Sequence, residues 1–358
     1  MSLKKLLAGL GLVTFSLGCH NIKPTPDIKP EKEVVTVIDH YVKHDTDLKC
    51  KDVAKVTNKG FEFYACESDL NQELISEFEF IADVKSLGMK TFDLVKSKNY
   101  MVYKNKINEN PKTNYWLYVT GKFFIPQKRD NYIFIKEEGW HVDDIDKYAL
   151  LISKVDDLKD EKYYYYRRGY DVFYRKITDF AGNCDITPEF IKRKLLHKVN
   201  TILHEDLHMT VLKKDWNPNL EESVACLIGN IGTIQYAKEH FGENSKEYVL
   251  SKLNLQFKLD LAEHLIFLNK QLIGLYSKKL NYEEKLKKKK EIFKNSSFMK
   301  NNADLWDSIP YNKNFPLLYK VHKKYSDIEE LIKILNKIPK EEKEGIEYLK
   351  KIISEDTP

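Results

Sequence analysis

Apolar residues recur at helical spacing along most of the chain from Thr187 onward. An isolated segment near residues 70–87 has the same period. The helices that this pattern predicts in the second half of the chain lie near 187–212, 219–241, 246–277, 281–296, 313–323 and 326–353. Thr187 is the expected N-cap of the first of them, because Pro188 follows it at the first turn.

Before residue 187 the pattern is different. Short aromatic and β-branched runs, separated by polar turns, predict strands. These runs lie near 100–103, 115–119, 132–135 and 163–176. A helix is expected at 144–155, and residues 34–65 have no clear period. The sequence therefore predicts an α+β fold, in which a mixed α/β N-terminal lobe (51–186) with short strands precedes a mainly α-helical C-terminal lobe (187–358).

The first predicted helix after residue 187 contains the HExxH pattern, from His204 to His208. Positions i and i+4 lie on one face of a helix, so both imidazoles can reach one ion at about 2.0–2.1 Å. Glu205 lies beside the first ligand, where its carboxylate can take a proton from an activated water. We therefore expect His204 and His208 to bind a metal ion and Glu205 to be the catalytic base.

A catalytic zinc site needs a third protein ligand and an open position. After a turn-like break at 213–219, a second helix is expected to begin with Asn217 or Asn219 as its N-cap. Glu221 and Glu222 both fall in its first turn, where a helix N-terminus also favours acids for purely structural reasons. We prefer Glu222 as the ligand. Asp215 or Glu221 can orient a ligand histidine from behind.

The N-terminus has the form of an export signal. Lys4 and Lys5 precede an apolar run at 6–17 that is too short to span a bilayer. Gly18 before Cys19 resembles a bacterial lipobox, in which the cysteine is lipidated. We therefore expect a signal peptide at 1–19, a Pro-rich and charged tether at 20–50 and a single domain at 51–358. The protein would be exported and anchored to a bacterial membrane through lipid on Cys19, and a plain secretory signal is the alternative.

Charge and cysteine content limit which partners and which disulfide bonds are expected. The 358 residues carry a net charge of only +5, from 59 Lys and Arg against 54 Asp and Glu. Since no basic stripe with interleaved aromatic residues is present, we expect no nucleic-acid partner. Cys50 and Cys66 are the most plausible disulfide pair in an exported chain, and Cys184 and Cys226 are expected to be buried thiols.

Several blocks resemble the bacterial predicted aminopeptidases, a family of HExxH zinc peptidases that includes many lipoproteins. These blocks are the GYDVF segment at 169–173, the HExxH block at 201–208, the ESVA segment at 222–225, Leu-Tyr at 275–276 and YNKN at 311–314. The resemblance covers roughly residues 70 to 350. It implies a zincin-like fold of gluzincin type with the active helix at the seam of the two lobes, a Zn²⁺ cofactor and Glu222 as third ligand.

The chain also departs from this family. Glu221 stands where the family usually has asparagine, and residues 178–182 read TDFAG in place of a YSTLG run. The GAMEN-type motif with which some zinc aminopeptidases grip a free N-terminus is missing. Peptide hydrolysis is therefore implied more firmly than aminopeptidase specificity.

Two functions follow as expectations. The first is a zinc-dependent peptidase, an aminopeptidase by its resemblance, that acts on a peptide or protein substrate. Its oxyanion donor could be Tyr170, Tyr276 or His240. The strand near 171–175 could be the edge that binds substrate, or equally a buried strand with no substrate role. The second is a non-catalytic surface lipoprotein with a relic metal site. Zinc suits nitrogen and oxygen ligands at an HExxH site, although other divalent ions can occupy the same ligands.

Overall fold

A computed structural model describes residues 48, 50, 52–105, 184–211, 216–296 and 298–355, together with the backbone of 114–121, 164–166 and 170–177. All of these residues belong to one compact unit, Val35–Pro358. The expected signal peptide with Cys19, most of the tether, the strand near 132–135, the helix near 144–155 and Asp215 lie outside the described residues.

The described part begins with a β-hairpin. Strand β1 (Val53–Asn58) pairs antiparallel with β2 (Phe61–Cys66) across a two-residue turn. Both turn residues, Lys59 and Gly60, have positive φ values of 46° and 79°. Such turns match the right-handed twist of paired strands. A disulfide between Cys50 and Cys66 closes the base of the hairpin, as the cysteine content predicted.

Ten helices make up most of the described fold, which is therefore α+β but predominantly helical. Their bounds are α1 (Gln72–Phe92), α2 (Pro188–Ile191), α3 (Leu195–Val211), α4 (Pro218–Phe241), α5 (Lys246–Tyr276), α6 (Tyr282–Lys294), α7 (Asn302–Asn312), α8 (Phe315–Lys324), α9 (Ile328–Asn336) and α10 (Glu342–Ser354). None of the helices in this described part is both long and apolar enough to cross a bilayer.

Helices α3 and α4 pack closely, and glycine permits the approach. A Cβ atom at Gly229 would lie 2.9 Å from the backbone oxygen of Asn200, which is closer than packed atoms allow. Gly232, one turn further along α4, lies in the same way against the side chain of Leu203. The two helices that carry the predicted ligands are therefore held at short range.

One hydrophobic core runs through both predicted lobes. It joins Phe63 of the hairpin and Phe78 of α1 to Leu203 of α3, Leu227 of α4 and Leu349 of α10. A smaller core lies between α5, α6 and α7. Apolar packing is thus continuous between the two predicted lobes, which were expected to divide at residue 186. This packing fixes α3 between the hairpin and the other helices.

The second sheet corrects one expectation. Strands β3 (Asn114–Gly121), β4 (Tyr164–Tyr166) and β5 (Tyr170–Ile177) lie in the order β3–β5–β4, all antiparallel. The strand near 171–175, which we expected at an edge, is therefore the central strand. Pairing with β3 covers all of β5 on one side, and β4 covers its first half on the other.

Other elements differ in detail. The expected helix at 187–212 is divided into α2 and α3 by a break at 192–194, and the one at 326–353 is divided into α9 and α10. Helix α7 and the hairpin were not predicted. The expected strand at 100–103 forms only two isolated bridges, from Val102 to Tyr64 and from Tyr103 to Ile186.

Candidate metal centre

The sequence encodes the caps that start α2, the short helix before α3, and α4. The Thr187 side chain accepts a hydrogen bond from the Phe190 amide at the start of α2, with Pro188 at the first position. Asn217 caps α4 by accepting from the Asn219 amide at 2.9 Å, again with proline at the first position. The Asn217 cap fixes where α4 starts and hence which way Glu222 projects.

Three side-chain atoms converge between α3 and α4. The Nε2 atoms of His204 and His208 are 3.2 Å apart. Oε2 of Glu222 lies 3.3 Å from the first and 3.4 Å from the second. Among the described residues, these three side chains form a cluster that could hold a metal ion.

The size of this triangle fits a metal ion. Ligand atoms at tetrahedral corners about 2.0–2.1 Å from zinc are about 3.3–3.4 Å from one another. The observed separations of 3.2, 3.3 and 3.4 Å match that edge length. Two imidazole nitrogens and one carboxylate oxygen are also a donor set that zinc accepts, and a tetrahedron built on them keeps one corner for water or substrate.

The three groups are strongly coupled. Burial alone lowers the pKa of His208, but hydrogen bonds with Glu221 and Glu222 outweigh it and raise that pKa to about 9. Burial likewise lowers the pKa of His204, whereas hydrogen bonds with Cys226 and Glu222 raise it well above its ordinary value. Burial would raise the pKa of Glu222, yet the two histidines hold it far below its usual range.

Glu221 makes a separate contact with the site. Its Oε1 lies 2.7 Å from Nδ1 of His208, on the side of the ring away from the triangle. A carboxylate there accepts the Nδ1 proton and leaves Nε2 free to bind a metal. The sequence allowed either Asp215 or Glu221 in this role, and the structure places Glu221 there.

Glu205 follows His204 on α3 and is partly exposed. Its negative charge contributes to the raised pKa of His204, after burial and the hydrogen bonds with Cys226 and Glu222. Glu205 thus directly follows the candidate ligand His204 in the chain, at the position that the HExxH pattern gives to a base.

Two residues beside His204 come from α4 and α7, and the charge of Lys258 from α5 acts on one of them, Cys226. The Tyr311 ring lies 6.3 Å from the His204 ring, centroid to centroid, at an interplanar angle of 23°. Cys226, a buried thiol as expected, hydrogen-bonds with His204. Lys258 donates to the Asn312 side chain at 2.9 Å. Burial raises the pKa of Cys226, but the positive charge of Lys258 and the contact with His204 lower it overall.

The three expected oxyanion donors are placed as follows. The Tyr276 hydroxyl donates to Asn302 at 2.6 Å. The His240 ring stacks on Tyr236 with centroids 3.9 Å apart. Only the backbone of Tyr170 is described, at the start of β5. Tyr311 was missed as a site residue, although it opens the YNKN block, because its distance from residue 204 along the chain hides the contact.

Comparisons with protein-family models, curated proteins and solved structures found no match to this chain.

Proposed function

We propose that this protein is a zinc-dependent peptidase of the gluzincin type, with a zincin-like fold. The observation that carries the proposal is the triangle formed by His204, His208 and Glu222, with Glu205 adjacent to the first ligand. The resemblance of the HExxH, ESVA and YNKN blocks to the predicted aminopeptidases supports it, and so does the tetrahedral edge length of the donor atoms.

His204, His208 and Glu222 would hold the ion, and Glu221 would keep His208 in the tautomer that binds through Nε2. When bound, zinc supplies Lewis acidity, which polarises the scissile carbonyl and makes water acidic near pH 7. Glu205 takes the proton of the attacking water and passes it to the leaving amine. Tyr311 is the polar residue near His204 that we assign to the developing negative charge on the carbonyl oxygen.

The corrected sheet suggests where a peptide binds. Helix α7, which ends just after Tyr311, lies against both β3 and β5. Strand β3 is an edge of the described three-stranded sheet. A peptide that pairs with β3 by strand addition would run past α7 towards the triangle, and we assign this edge to substrate in place of the strand near 171–175.

The remaining parts of the proposal come from sequence. Aminopeptidase specificity rests on the family resemblance, and export with a lipid on Cys19 rests on the lipobox-like segment. The substrate would then be a peptide or protein outside the cytoplasm. Zinc is preferred over other divalent ions because two imidazoles and one carboxylate suit its tetrahedral geometry.

The test is hydrolysis of a mixed peptide library by the zinc-loaded full chain, with Glu205→Gln as the matched control. Glu205→Gln has nearly the same shape and leaves the three ligands intact, so it should bind zinc and lose hydrolysis. The cleavage positions separate an aminopeptidase from an endopeptidase. A wild-type chain that holds zinc but cleaves every library member no faster than Glu205→Gln does would instead support a non-catalytic binding lipoprotein with a relic metal site.

A further inference from the structure

Asp206 lies in the middle of the HExxH segment but projects away from the metal-binding face. It is two positions along the chain from each histidine, which is about 200° of rotation around the helix. Its buried carboxylate accepts hydrogen bonds from Lys85 Nζ at 2.8 and 3.0 Å and from Asn99 Nδ2 at 3.3 Å. It also accepts one from the Ser97 hydroxyl. The back of α3 is thus tied to α1 and to the loop that follows α1.

The buried charges in this cluster are well compensated. Lys85 Nζ also donates to Ser97 Oγ at 2.8 Å and to the Asn99 carbonyl at 3.0 Å. Both Lys85 and Asp206 are at most 3% exposed at their side chains. A buried ion pair is tolerated only when its remaining donors and acceptors are satisfied, so a shift of Asp206 out of this arrangement is strongly disfavoured.

The same loop contacts the backbone of the catalytic segment. Asn99 Nδ2 donates to the carbonyl oxygen of Glu205 at 3.0 Å. The Val95 amide donates to Thr210 Oγ1 at 3.0 Å, one turn further along α3. Tyr100, directly after Asn99, has a positive φ of 55° and is fully buried, stacked on Phe190. A non-glycine residue keeps such a conformation only where its surroundings fix it, so this loop has a defined shape.

The chain contains a second pair of the same chemistry between the same two helices. Lys198 of α3 lies 2.6 and 2.7 Å from the carboxylate oxygens of Glu77 of α1, and both side chains are buried. Each of these residues precedes its counterpart in the first pair by eight positions, roughly 12 Å along a helix. The described contacts of Lys198 beyond Glu77 are with the Ile191 carbonyl and the Phe80 ring.

We infer that Lys85, Ser97 and Asn99 are positioning residues for Glu205. They hold Asp206 and the Glu205 carbonyl from behind α3 and so set the direction in which the Glu205 carboxylate faces the metal centre. The Lys198–Glu77 pair only joins the two helices. This inference rests on the proposed function, because it gives Glu205 the role of the base.

A positioning role and a purely stabilising role of these residues predict different experimental results. A catalytic group has to be held within about 0.5 Å of its working position, and a displacement of about 1 Å can lower the rate about 100-fold. A residue that only stabilises the fold changes the free energy of unfolding without changing kcat in the folded fraction. Replacing a buried ion pair by apolar residues of similar volume is often neutral for stability, which separates the two effects.

The test compares two paired replacements in the zinc-loaded full chain. Lys85→Met with Asp206→Leu removes the first pair, and Lys198→Met with Glu77→Leu is the matched control. Asn99→Ala keeps both ion pairs and removes the side-chain amide that donates to the Glu205 carbonyl and to Asp206, which keeps the test decisive if the first replacement fails to fold. Urea unfolding, zinc content, kcat and KM are measured for each.

A further readout does not depend on turnover. Acetohydroxamate chelates zinc through two oxygens and can share a proton with a neighbouring carboxylate, so its affinity reports on Glu205 as well as on the metal. Glu205→Gln calibrates the loss of that interaction. If the wild type binds zinc but cleaves no peptide, the proposed function fails and acetohydroxamate affinity alone decides the present inference.

We expect Lys85→Met/Asp206→Leu and Asn99→Ala to keep one zinc per chain, to lower kcat by about tenfold or more and to leave KM within about twofold. Both should weaken acetohydroxamate binding towards the Glu205→Gln value, and Lys198→Met/Glu77→Leu should change none of these quantities. Equal effects of the two paired replacements, or a loss of kcat that follows the loss of stability, would overturn the inference.

Discussion

Nδ1 of His208 lies 2.7 Å from Oε1 of Glu221, the residue directly before the candidate third ligand Glu222. Helix α4 therefore provides both a candidate ligand and the partner of another candidate ligand, His208. Consecutive residues on a helix project about 100° apart, so Glu222 can face the triangle while Glu221 reaches the far side of the His208 ring. One helix start thus determines two contacts of the site.

We expect Glu221→Ala to weaken zinc binding by about 10- to 100-fold, because His208 loses the acceptor that fixes its tautomer and ring orientation. Competition with a chromophoric chelator measures this affinity. Glu239→Ala, at an exposed acid near the other end of α4, is the control and should leave zinc affinity unchanged. An unchanged affinity in Glu221→Ala would show that this contact is not needed to hold the ion.

The charges of the site predict opposite pH trends with and without metal. In the metal-free chain, the pKa of His208 is raised from 6.5 to about 9, because the hydrogen bonds with Glu221 and Glu222 outweigh its burial. This stabilisation is fully present below about pH 6.5 and is lost as pH rises through about 9. The lowered pKa of Glu222 stabilises the fold above its ordinary value of 4.5, and this is lost only in acid.

Zinc binds the deprotonated histidines, so its affinity increases as pH rises. We therefore expect the difference in Tm between zinc-loaded and chelator-treated protein to be larger at about pH 8.5 than at about pH 6. Differential scanning fluorimetry at the two values measures it, with His204→Ala as a control that should show little zinc effect at either pH. A zinc effect that decreases with rising pH would argue against metal binding through His204 and His208.

The close packing of α3 and α4 predicts the effect of two glycine substitutions. Gly229→Ala brings a Cβ to within 2.9 Å of the Asn200 backbone oxygen, so we expect a loss of about 1–3 kcal/mol in the free energy of unfolding together with weaker zinc binding. Gly274→Ala, in α5, has nothing within 4 Å and should stabilise the chain by about 0.5–1 kcal/mol. Urea denaturation of both variants tests the contrast, and equal stability of the two would contradict it.

The disulfide between Cys50 and Cys66 spans 16 positions and closes the hairpin. Removing a cross-link over a loop of about this length costs about 3 kcal/mol in the chain-entropy model. We expect Cys50→Ser/Cys66→Ser to lower the free energy of unfolding by about that amount. The free energy of unfolding of this double variant should not change when reductant is added. If reductant destabilised the wild type and the double variant equally, the stabilisation would have to come from elsewhere.

The local parts of the site could be predicted from sequence because their signals are local. The i, i+4 spacing places His204 and His208 on one face, and Thr187 and Asn217 mark helix starts through short-range hydrogen bonds. The preference for Glu222 over Glu221 was right about which acid joins the triangle. The disulfide could be predicted because Cys50 and Cys66 are close in sequence and lie outside the part of the chain expected to form the core.

The remaining parts depend on contacts between distant segments. Lys85 and Asp206 are 121 positions apart, and neither has a sequence pattern that indicates an ion pair. The order of the three strands depends on pairing between β3 and β5, which periodicity does not specify, so β5 was wrongly expected at an edge. Helix α7 was missed because buried Asn302, Asp304 and Asp307 interrupt its apolar pattern.

The most direct test of the metal centre is the metal content of the full chain purified without chelators. We predict one zinc ion per chain for the wild type and for Glu205→Gln. His204→Ala and Glu222→Ala, which each remove one corner of the triangle, should retain far less. A wild-type chain with no more bound metal than these two variants would contradict the account.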